Sequence, residues 1–125
     1  MISLTLDQLL EIHALVVEAT GGSTGLRDLG RLEAAIAAQT QNVFGEELYP
    51  KTVDKAAAMI RGIIADHPFV DGNKRTAMLT GLTLLELNNI SFKARIGEIE
   101  NFAVDVATKH IDVPEIAHWL HVHTY

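Results

Sequence analysis

The feature that most constrains this chain is a short break between two apolar helical segments, at residues 67–73. His67 precedes Pro68, and the residue before a proline is biased away from the right-handed helical conformation. The preceding helix is therefore predicted to end at Asp66. Residues 71–73, Asp-Gly-Asn, are typical of a turn, and the helical pattern resumes at the last of them. The sequence predicts a tight loop between two helices.

Two cations, Lys74 and Arg75, fall in the first turn of the second helix. The helix dipole is positive at that end, so Asp or Glu would be the locally favourable choice. Backbone N–H groups at a helix N-terminus bind anions, and we therefore expect a phosphate to bind here. The alternative interpretation is a helix stop with Asp71 as N-cap and two solvated cations. That alternative explains each residue singly, but not the combination of a histidine, a carboxylate and two cations.

Elsewhere the apolar periodicity is helical. It predicts a first helix from the Thr5 capping box to Gly21, followed by five more at about residues 28–39, 53–66, 73–87, 97–110 and 113–121. The fourth is apolar nearly all round, which is typical of a central helix. The predicted fold class is all-α: a single compact bundle of about six helices forming one domain over residues 1–125.

Composition limits the function classes. The chain of 125 residues has no cysteine and a formal net charge of -6. The absence of cysteine excludes disulfides and thiolate metal sites, and the negative charge argues against direct nucleic-acid binding. The sequence has neither a run approaching the ~20 apolar residues of a membrane span nor a secretory N-terminus. We expect a cytoplasmic protein that does not bind membranes.

The segment His67–Arg75 matches the Fic/Doc signature, H-x-F-x-[D/E/N]-[A/G]-N-[G/K]-R, at every specified position. The chain also resembles the Doc branch of that family, the death-on-curing toxins of toxin–antitoxin modules. This second resemblance lies in Gly21-Gly22, Gly25-Leu26-Arg27-Asp28, Arg31, Glu33, Tyr49-Pro50, Lys55-Ala56-Ala57 and Leu87-Asn88-Asn89. It covers roughly residues 1–92 and implies the Fic/Doc fold, with a flap loop or hairpin at residues 41–50 that docks the target.

The resemblance also implies a role for each residue of the motif. His67 is the general base that takes the proton of a protein hydroxyl, and Asp71 holds Mg²⁺. The remaining positions bind the phosphates of the co-substrate ATP, through backbone N–H groups at Gly72 and through the side chains of Asn73, Lys74 and Arg75.

Lys74 decides which reaction the resemblance implies. Family members that transfer AMP carry Gly at this position and a second Arg where this chain has Met78. Doc proteins carry Lys, hold the nucleotide reversed and present its γ-phosphate to the hydroxyl. The implied activity is a protein serine/threonine kinase that modifies a translation factor, elongation factor Tu, and so inhibits translation. The alternatives are AMP or other nucleotidyl transfer, and a catalytically silent module that acts through its antitoxin complex.

Two further expectations concern partners and metals. A self-inhibitory motif of many Fic proteins is missing because Ile96 stands where it needs a hydroxyl residue. We therefore expect the activity to be inhibited by a cognate antitoxin, whose tail binds as a helix in a groove near the site. His118, His121 and His123 resemble a metal site. The favoured interpretation is that they are solvated histidines at a helix C-terminus, where the helix dipole favours positive charge.

Overall fold

A computed structural model describes residues 1–95 and 97–125, so Ile96 lies outside the described residues. Within them the chain forms six α-helices: α1 Leu6–Thr20, α2 Leu29–Ala37, α3 Thr52–Asp66, α4 Asn73–Leu87, α5 Glu98–Lys109 and α6 Val113–Val122. A 3₁₀ turn (Ala38–Thr40) and a hairpin of β1 (Asn42–Val43) and β2 (Glu46–Glu47) lie between α2 and α3. The predicted all-α bundle with a short hairpin is confirmed.

Helices α3 and α4 form the centre of the bundle. Each buries eight of its fifteen residues, so the central position predicted for α4 is shared with α3. Fully buried side chains on the two helices include Met59, Ile60, Ile63, Leu84 and Leu85. Burying a side chain of this size contributes about 1.5–3 kcal/mol, and this packing fixes the loop between the two helices.

Most helix ends follow the local signals in the sequence. Thr5 and Gln8 form the predicted capping box, and Gly21 ends α1 in the left-handed conformation. Asp28 caps α2 by accepting a hydrogen bond from the Arg31 N–H at 3.1 Å. The second helix differs from the prediction, because its last residues tighten into the 3₁₀ turn instead of continuing as α-helix.

Helix α2 runs antiparallel to α3. The guanidinium of Arg31, near the start of α2, donates to the Asp66 carbonyl at the end of α3. The 3₁₀ turn that follows α2 also packs against α3. As a result, residues 25–31 lie directly against the loop that carries His67.

The hairpin lies at the other end of α3. Lys55, in the first turns of α3, is buried, and its ammonium donates to Glu47 Oε1 at 3.1 Å and to the Tyr49 carbonyl. With a rise of 1.5 Å per residue, Lys55 lies about 18 Å along the helix axis from His67. The target-docking role of the hairpin stays a prediction.

None of the helices in the two described ranges is long and apolar enough to cross a membrane.

Candidate active site

The predicted site residues come together in one cavity. An open pocket of about 490 Å³ is lined by His67, Asp71, Gly72, Asn73, Lys74 and Arg75. Its opposite wall is formed by the end of α1 and the glycine pair that follows, Val16, Thr20, Gly21 and Gly22. The turn and helix start recognised in the sequence therefore form a single site, closed on one side by the N-terminal helix.

His67 ends α3 in a strained conformation. Its φ of 48° and ψ of 60° are left-handed, and its N–H donates to the Ile63 carbonyl at 3.2 Å. A non-glycine residue in this conformation costs about 1–3 kcal/mol, so the surrounding structure must hold it. The side chain of His67 is exposed at the cavity, where it can meet a substrate hydroxyl.

Two arginines from the start of α2 hold this helix end. Arg27 donates from Nε to the His67 carbonyl at 2.8 Å and from Nη2 to the Asp66 carbonyl at 3.0 Å. Arg31 donates to the same Asp66 carbonyl at 3.0 Å. We call Arg27 and Arg31, with the Asp66 and His67 carbonyls they bind, the arginine clamp. The sequence did not predict this clamp. Both arginines belong to the resemblance, but no neighbouring residue indicates what they bind.

Backbone pairing extends the clamp along the loop. The N–H groups of Arg27 and Asp28 donate to the Pro68 carbonyl at 2.7 and 2.9 Å, and Val70 N–H donates to the Gly25 carbonyl at 2.9 Å. Together these bonds hold the loop against residues 25–28 as a short ladder.

A buried aromatic pair lies beneath the loop. Phe69 is almost fully buried and stacks on the ring of His13 with centroids 3.7 Å apart. His13 is buried and donates from Nε2 to the Asp71 carbonyl at 2.9 Å. Phe69 therefore anchors the loop in the core, and His13 is a buried residue that packs against it. In addition, His13 positions the backbone of a site residue.

Asp71 is not the N-cap of α4, which corrects the alternative interpretation of the loop. The N-cap is Gly72, and the Asp71 Oδ2 instead accepts a hydrogen bond from the Ser23 N–H at 2.9 Å. A Cβ on Gly22 would lie 3.2 Å from the Asp71 Cβ, so a glycine there lets the two loops approach. The contact occupies one carboxylate oxygen and leaves the other for a cation.

Gly72 is required by both its conformation and its surroundings. Its φ of 78° is left-handed, and a Cβ there would lie 3.2 Å from Val16 Cγ1. Because glycine carries no capping side chain, the N–H groups of the first turn of α4 stay open to an anion.

The Asn73 side chain, for which the resemblance implies phosphate binding, also closes the motif loop, and its phosphate-binding role stays a prediction. It is buried, and its Oδ1 accepts from the Phe69 N–H at 3.0 Å while its Nδ2 donates to the Phe69 carbonyl at 2.9 Å. Both polar atoms are thus committed to closing the loop. Asn73 can still offer a phosphate the second hydrogen of its Nδ2 amide and its backbone N–H.

Lys74 and Arg75 are exposed at the start of α4. The Arg75 Nη2 lies 3.3 Å from Glu100 Oε1 on α5, with both side chains more than half exposed. An ion pair of that exposure stabilises the fold by about 0–1 kcal/mol, so a phosphate can replace the carboxylate. The motif alone could not predict this ion pair, because Glu100 follows Arg75 by twenty-five residues.

The described part of the chain contains no cluster of three or more histidine, aspartate or glutamate side chains able to hold a metal ion. The metal site considered for the C-terminal histidines is therefore not formed there. His123 instead hydrogen-bonds the Trp119 carbonyl and the Glu98 carboxylate. The single carboxylate of Asp71 is compatible with Mg²⁺, which binds through one or two carboxylates plus substrate phosphates.

Comparison with known proteins decides the family. A model of the Fic/DOC family matches residues 3–85, which includes α1–α3, the motif loop and most of α4. The chain belongs to the Fic/Doc family.

Two relatives lie within this family. The chain is 39% identical to "Toxin Doc" of Mycolicibacterium smegmatis over 101 residues, covering 79% of this chain and 78% of that protein. It is 32% identical to "Protein kinase doc" of Escherichia phage P1 over 115 residues, covering 89% of this chain and 86% of that protein. The Fic/Doc match ends within α4, so Glu100 and the rest of α5 lie beyond it.

Proposed function

We propose that this protein is a Doc-like toxin that acts as a protein serine/threonine kinase, transferring the γ-phosphate of ATP to a hydroxyl of a translation factor. The observation that carries the proposal is Lys74 at the start of α4, in one cavity with His67 and Asp71. The names of the two relatives, one a toxin and one a protein kinase, support the same activity.

The cavity supplies the groups that such a transfer needs. The substrate hydroxyl oxygen attacks the γ-phosphorus, the bond from that phosphorus to the β-bridging oxygen breaks, and ADP leaves. His67 takes the hydroxyl proton as general base. Lys74, Arg75 and the N–H groups of the first turn of α4 bind phosphate oxygens. Mg²⁺, when bound, neutralises phosphate charge, and Asp71 is the residue that would hold it.

Transfer of AMP is the second candidate, because Fic proteins with that activity share the motif. Two features of this chain favour phosphate transfer. The Lys74 side chain occupies the position where a glycine would let the nucleotide phosphates settle in the AMP-transfer orientation. Met78 stands where those proteins carry a second arginine, and it is 2% exposed. A catalytically silent module, the third candidate, does not explain why His67, Asp71, Lys74 and Arg75 line one cavity.

Two partners complete the proposal. The target that the family resemblance implies is elongation factor Tu, whose modification would stop translation. The second partner is a cognate antitoxin, whose disordered tail folds as a helix over the site and blocks access to His67. Coupled folding of this kind is typical of helix-in-groove recognition.

The reaction is tested with ATP labelled separately at the α- and γ-phosphates, Mg²⁺ and purified elongation factor Tu. Wild-type protein is expected to transfer the γ-label and none of the α-label. His67→Ala should lose transfer by about 10²–10⁴-fold, the usual contribution of a general base, and should still bind ATP because the residue is exposed at a helix end. Transfer of the α-label by wild-type protein would establish the AMP reaction instead.

Lys74→Gly is the variant that separates the two reactions. It removes a cation and reopens the competing orientation, so γ-transfer should be lost while at most a trace of AMP transfer appears. Mass spectrometry of the target distinguishes added phosphate from added AMP. Full γ-transfer by Lys74→Gly would remove the role assigned to the lysine.

A further inference from the structure

A buried histidine of α1 bonds the backbone of the motif loop from beneath. His13 is 3% exposed, and its ring stacks on Phe69 with the planes only 8° apart. Its Nε2 lies 2.9 Å from the Asp71 carbonyl oxygen. A carbonyl oxygen can only accept, so Nε2 carries the proton and donates it. Burial and stacking hold the ring as a fixed donor to one peptide group, the one that joins Asp71 to Gly72.

That hydrogen bond sets the direction of the Gly72 N–H. The described residues contain no cis peptide bond, and in a planar trans peptide the C=O and the N–H point in opposite directions. Because the Asp71 carbonyl points toward His13, the Gly72 N–H points away from α1. Within residues 1–95 and 97–125 this N–H finds no backbone acceptor, and Gly72 lines the cavity that holds His67. The N–H is therefore available to a ligand.

The backbone conformation makes this N–H part of a concave anion site. Gly72 is left-handed, with φ 78° and ψ 18°, and Asn73 follows it as the first right-handed residue of α4. A left-handed residue beside a right-handed one makes consecutive N–H groups converge into a nest, which binds anions. The N–H groups of Gly72, Asn73 and Lys74 form this nest, at the position where the proposed kinase reaction needs a phosphate.

Backbone sterics alone do not hold the nest open. Turning over the peptide between Asp71 and Gly72 changes chiefly ψ of the first and φ of the second, and glycine accepts either sign of φ. The turned peptide would place the Asp71 carbonyl where the Gly72 N–H now lies, and its negative end would repel a phosphate. The hydrogen bond from His13 to that carbonyl opposes the change.

We propose that His13 is a positioning residue for phosphate binding, whose hydrogen bond keeps the peptide between Asp71 and Gly72 in the orientation that opens the nest. The inference rests on the proposed function, which requires a phosphate at the start of α4. His13 does not line the cavity, so it acts only through this peptide. The role gives α1 a part in the reaction, from a residue 58 positions away from Asp71.

Three substitutions separate this role from simple packing against Phe69. His13→Phe keeps an aromatic ring on Phe69 and removes the donor. His13→Gln removes the ring but has an amide N–H that can reach the position of Nε2. His13→Asn carries the same amide on a side chain one methylene shorter, which cannot reach the Asp71 carbonyl.

The test titrates inorganic tripolyphosphate and ATP, each with Mg²⁺, into the full chain by calorimetry, with urea denaturation as the measure of stability. His13→Phe should bind both ligands about tenfold more weakly or worse, the effect of one lost hydrogen bond to a charged group, with a stability near wild type. His13→Gln should bind both more tightly than His13→Phe and His13→Asn, although it is less stable than His13→Phe. Leu15→Gln, at an exposed leucine of α1, is the matched control and should change neither affinity.

The amide proton of Gly72 gives a second readout, by NMR of ¹⁵N-labelled protein. Saturating tripolyphosphate should move this resonance downfield in wild type and in His13→Gln, through a hydrogen bond to phosphate, and should not do so in His13→Phe. Wild-type affinity in His13→Phe overturns the positioning role. So do affinities that follow the stabilities of the three variants, or a Gly72 resonance that does not respond in wild type.

The outcomes separate this inference from the kinase. Transfer of the γ-label by wild-type protein, with an undiminished tripolyphosphate affinity in His13→Phe, leaves the kinase standing and removes the positioning role. Phosphate binding that depends on His13, in a protein that transfers the α-label instead, does the reverse.

Discussion

At the scale of single residues, the left-handed backbone of His67 depends on Arg27. The Arg27 guanidinium bonds two successive carbonyls, those of Asp66 and His67, whereas Arg31 reaches only the first. Arg27 does not line the cavity. It therefore acts on the proposed base through the backbone and is a positioning residue.

This arrangement predicts a selective effect of Arg27→Ala. The rate constant kcat for phosphate transfer should fall by about tenfold or more, because small displacements of a catalytic group are costly. The KM for ATP should stay near the wild-type value, and Arg27→Lys, which keeps one donor, should recover part of the rate. Arg31→Ala is the matched control, with a smaller effect on kcat. A rise in KM equal to the fall in kcat would point to a general structural defect instead.

The same residues explain how much of the site the sequence could predict. The motif is contiguous, so His67, Asp71, Lys74 and Arg75 could be assigned to one site from spacing and resemblance. The partners that hold them are distant in the chain: Arg27 lies 40 residues from His67, and His13 lies 58 residues from Asp71. Asn73 has a polar amide, and only the tertiary structure shows that this amide bonds the Phe69 backbone and holds the loop.

At the scale of helices, the close approach of α3 and α4 sets the geometry of the motif loop. A Cβ on Gly81 would lie 2.5 Å from Ile60 Cδ1 and 2.7 Å from Ile60 Cγ1. Ile60 is fully buried, so it has little room to move. The absence of a side chain at Gly81 therefore allows the two helices to pack closely at the centre of the bundle.

Gly81→Ala should therefore destabilise the protein by about 1–3 kcal/mol, the usual cost of overpacking a core. The measurement is urea denaturation followed by circular dichroism. Gly62→Ala on α3 is the control: its Cβ would meet Ala35 Cβ at an ordinary 3.5 Å. Since alanine favours helix over glycine, that variant should gain up to about 1 kcal/mol. Equal stability of the two variants would contradict the close approach.

Helix boundaries were predictable where their signals are local. The Thr5 capping box, the Gly21 C-cap and the Asp28 N-cap each depend on residues within one turn. The pairing of Phe92, after α4, with Thr124, near the C-terminus, was not predictable, because each of the two segments is only a few residues long.

At the scale of the whole molecule, the C-terminus ties α6 to the start of α5. Phe92 pairs with Thr124, and Lys93 N–H donates to the His123 carbonyl at 2.9 Å. The His123 ring completes the tie, with Nδ1 2.7 Å from the Trp119 carbonyl and Nε2 2.9 Å from Glu98 Oε2. Both partners are acceptors, so both ring nitrogens must carry protons for the two bonds to form together.

The charged histidine is therefore the form that the fold favours. The Trp119 carbonyl and, after it, the Glu98 carboxylate raise the pKa of His123 above its ordinary 6.5, against the opposing effect of burial. The Arg95 N–H and, after it, His123 lower the pKa of Glu98 below its ordinary 4.5. Lys93 and Tyr125 lie beside His123 at the surface, and Arg95 lies near the acid.

These shifts predict how stability depends on pH. A raised histidine pKa stabilises the fold fully below 6.5, and the effect is lost as the pH rises through the folded-state value. A lowered glutamate pKa stabilises it above 4.5, and the effect is lost as the pH falls through the folded-state value. The contact between His123 and Glu98 should therefore contribute most to the free energy of unfolding between pH 4.5 and 6.5.

His123→Gln tests this tie, because glutamine keeps hydrogen-bonding atoms but no charge. The free energy of unfolding lost in the variant, measured by urea denaturation across this pH range and above it, should be largest between pH 4.5 and 6.5 and shrink at higher pH. His118→Gln, at an exposed position on the same helix, should show a loss that does not change with pH. A His123→Gln loss that is equally constant would mean that the ring acts by packing against Trp119 and Phe92, with no contribution from its charge.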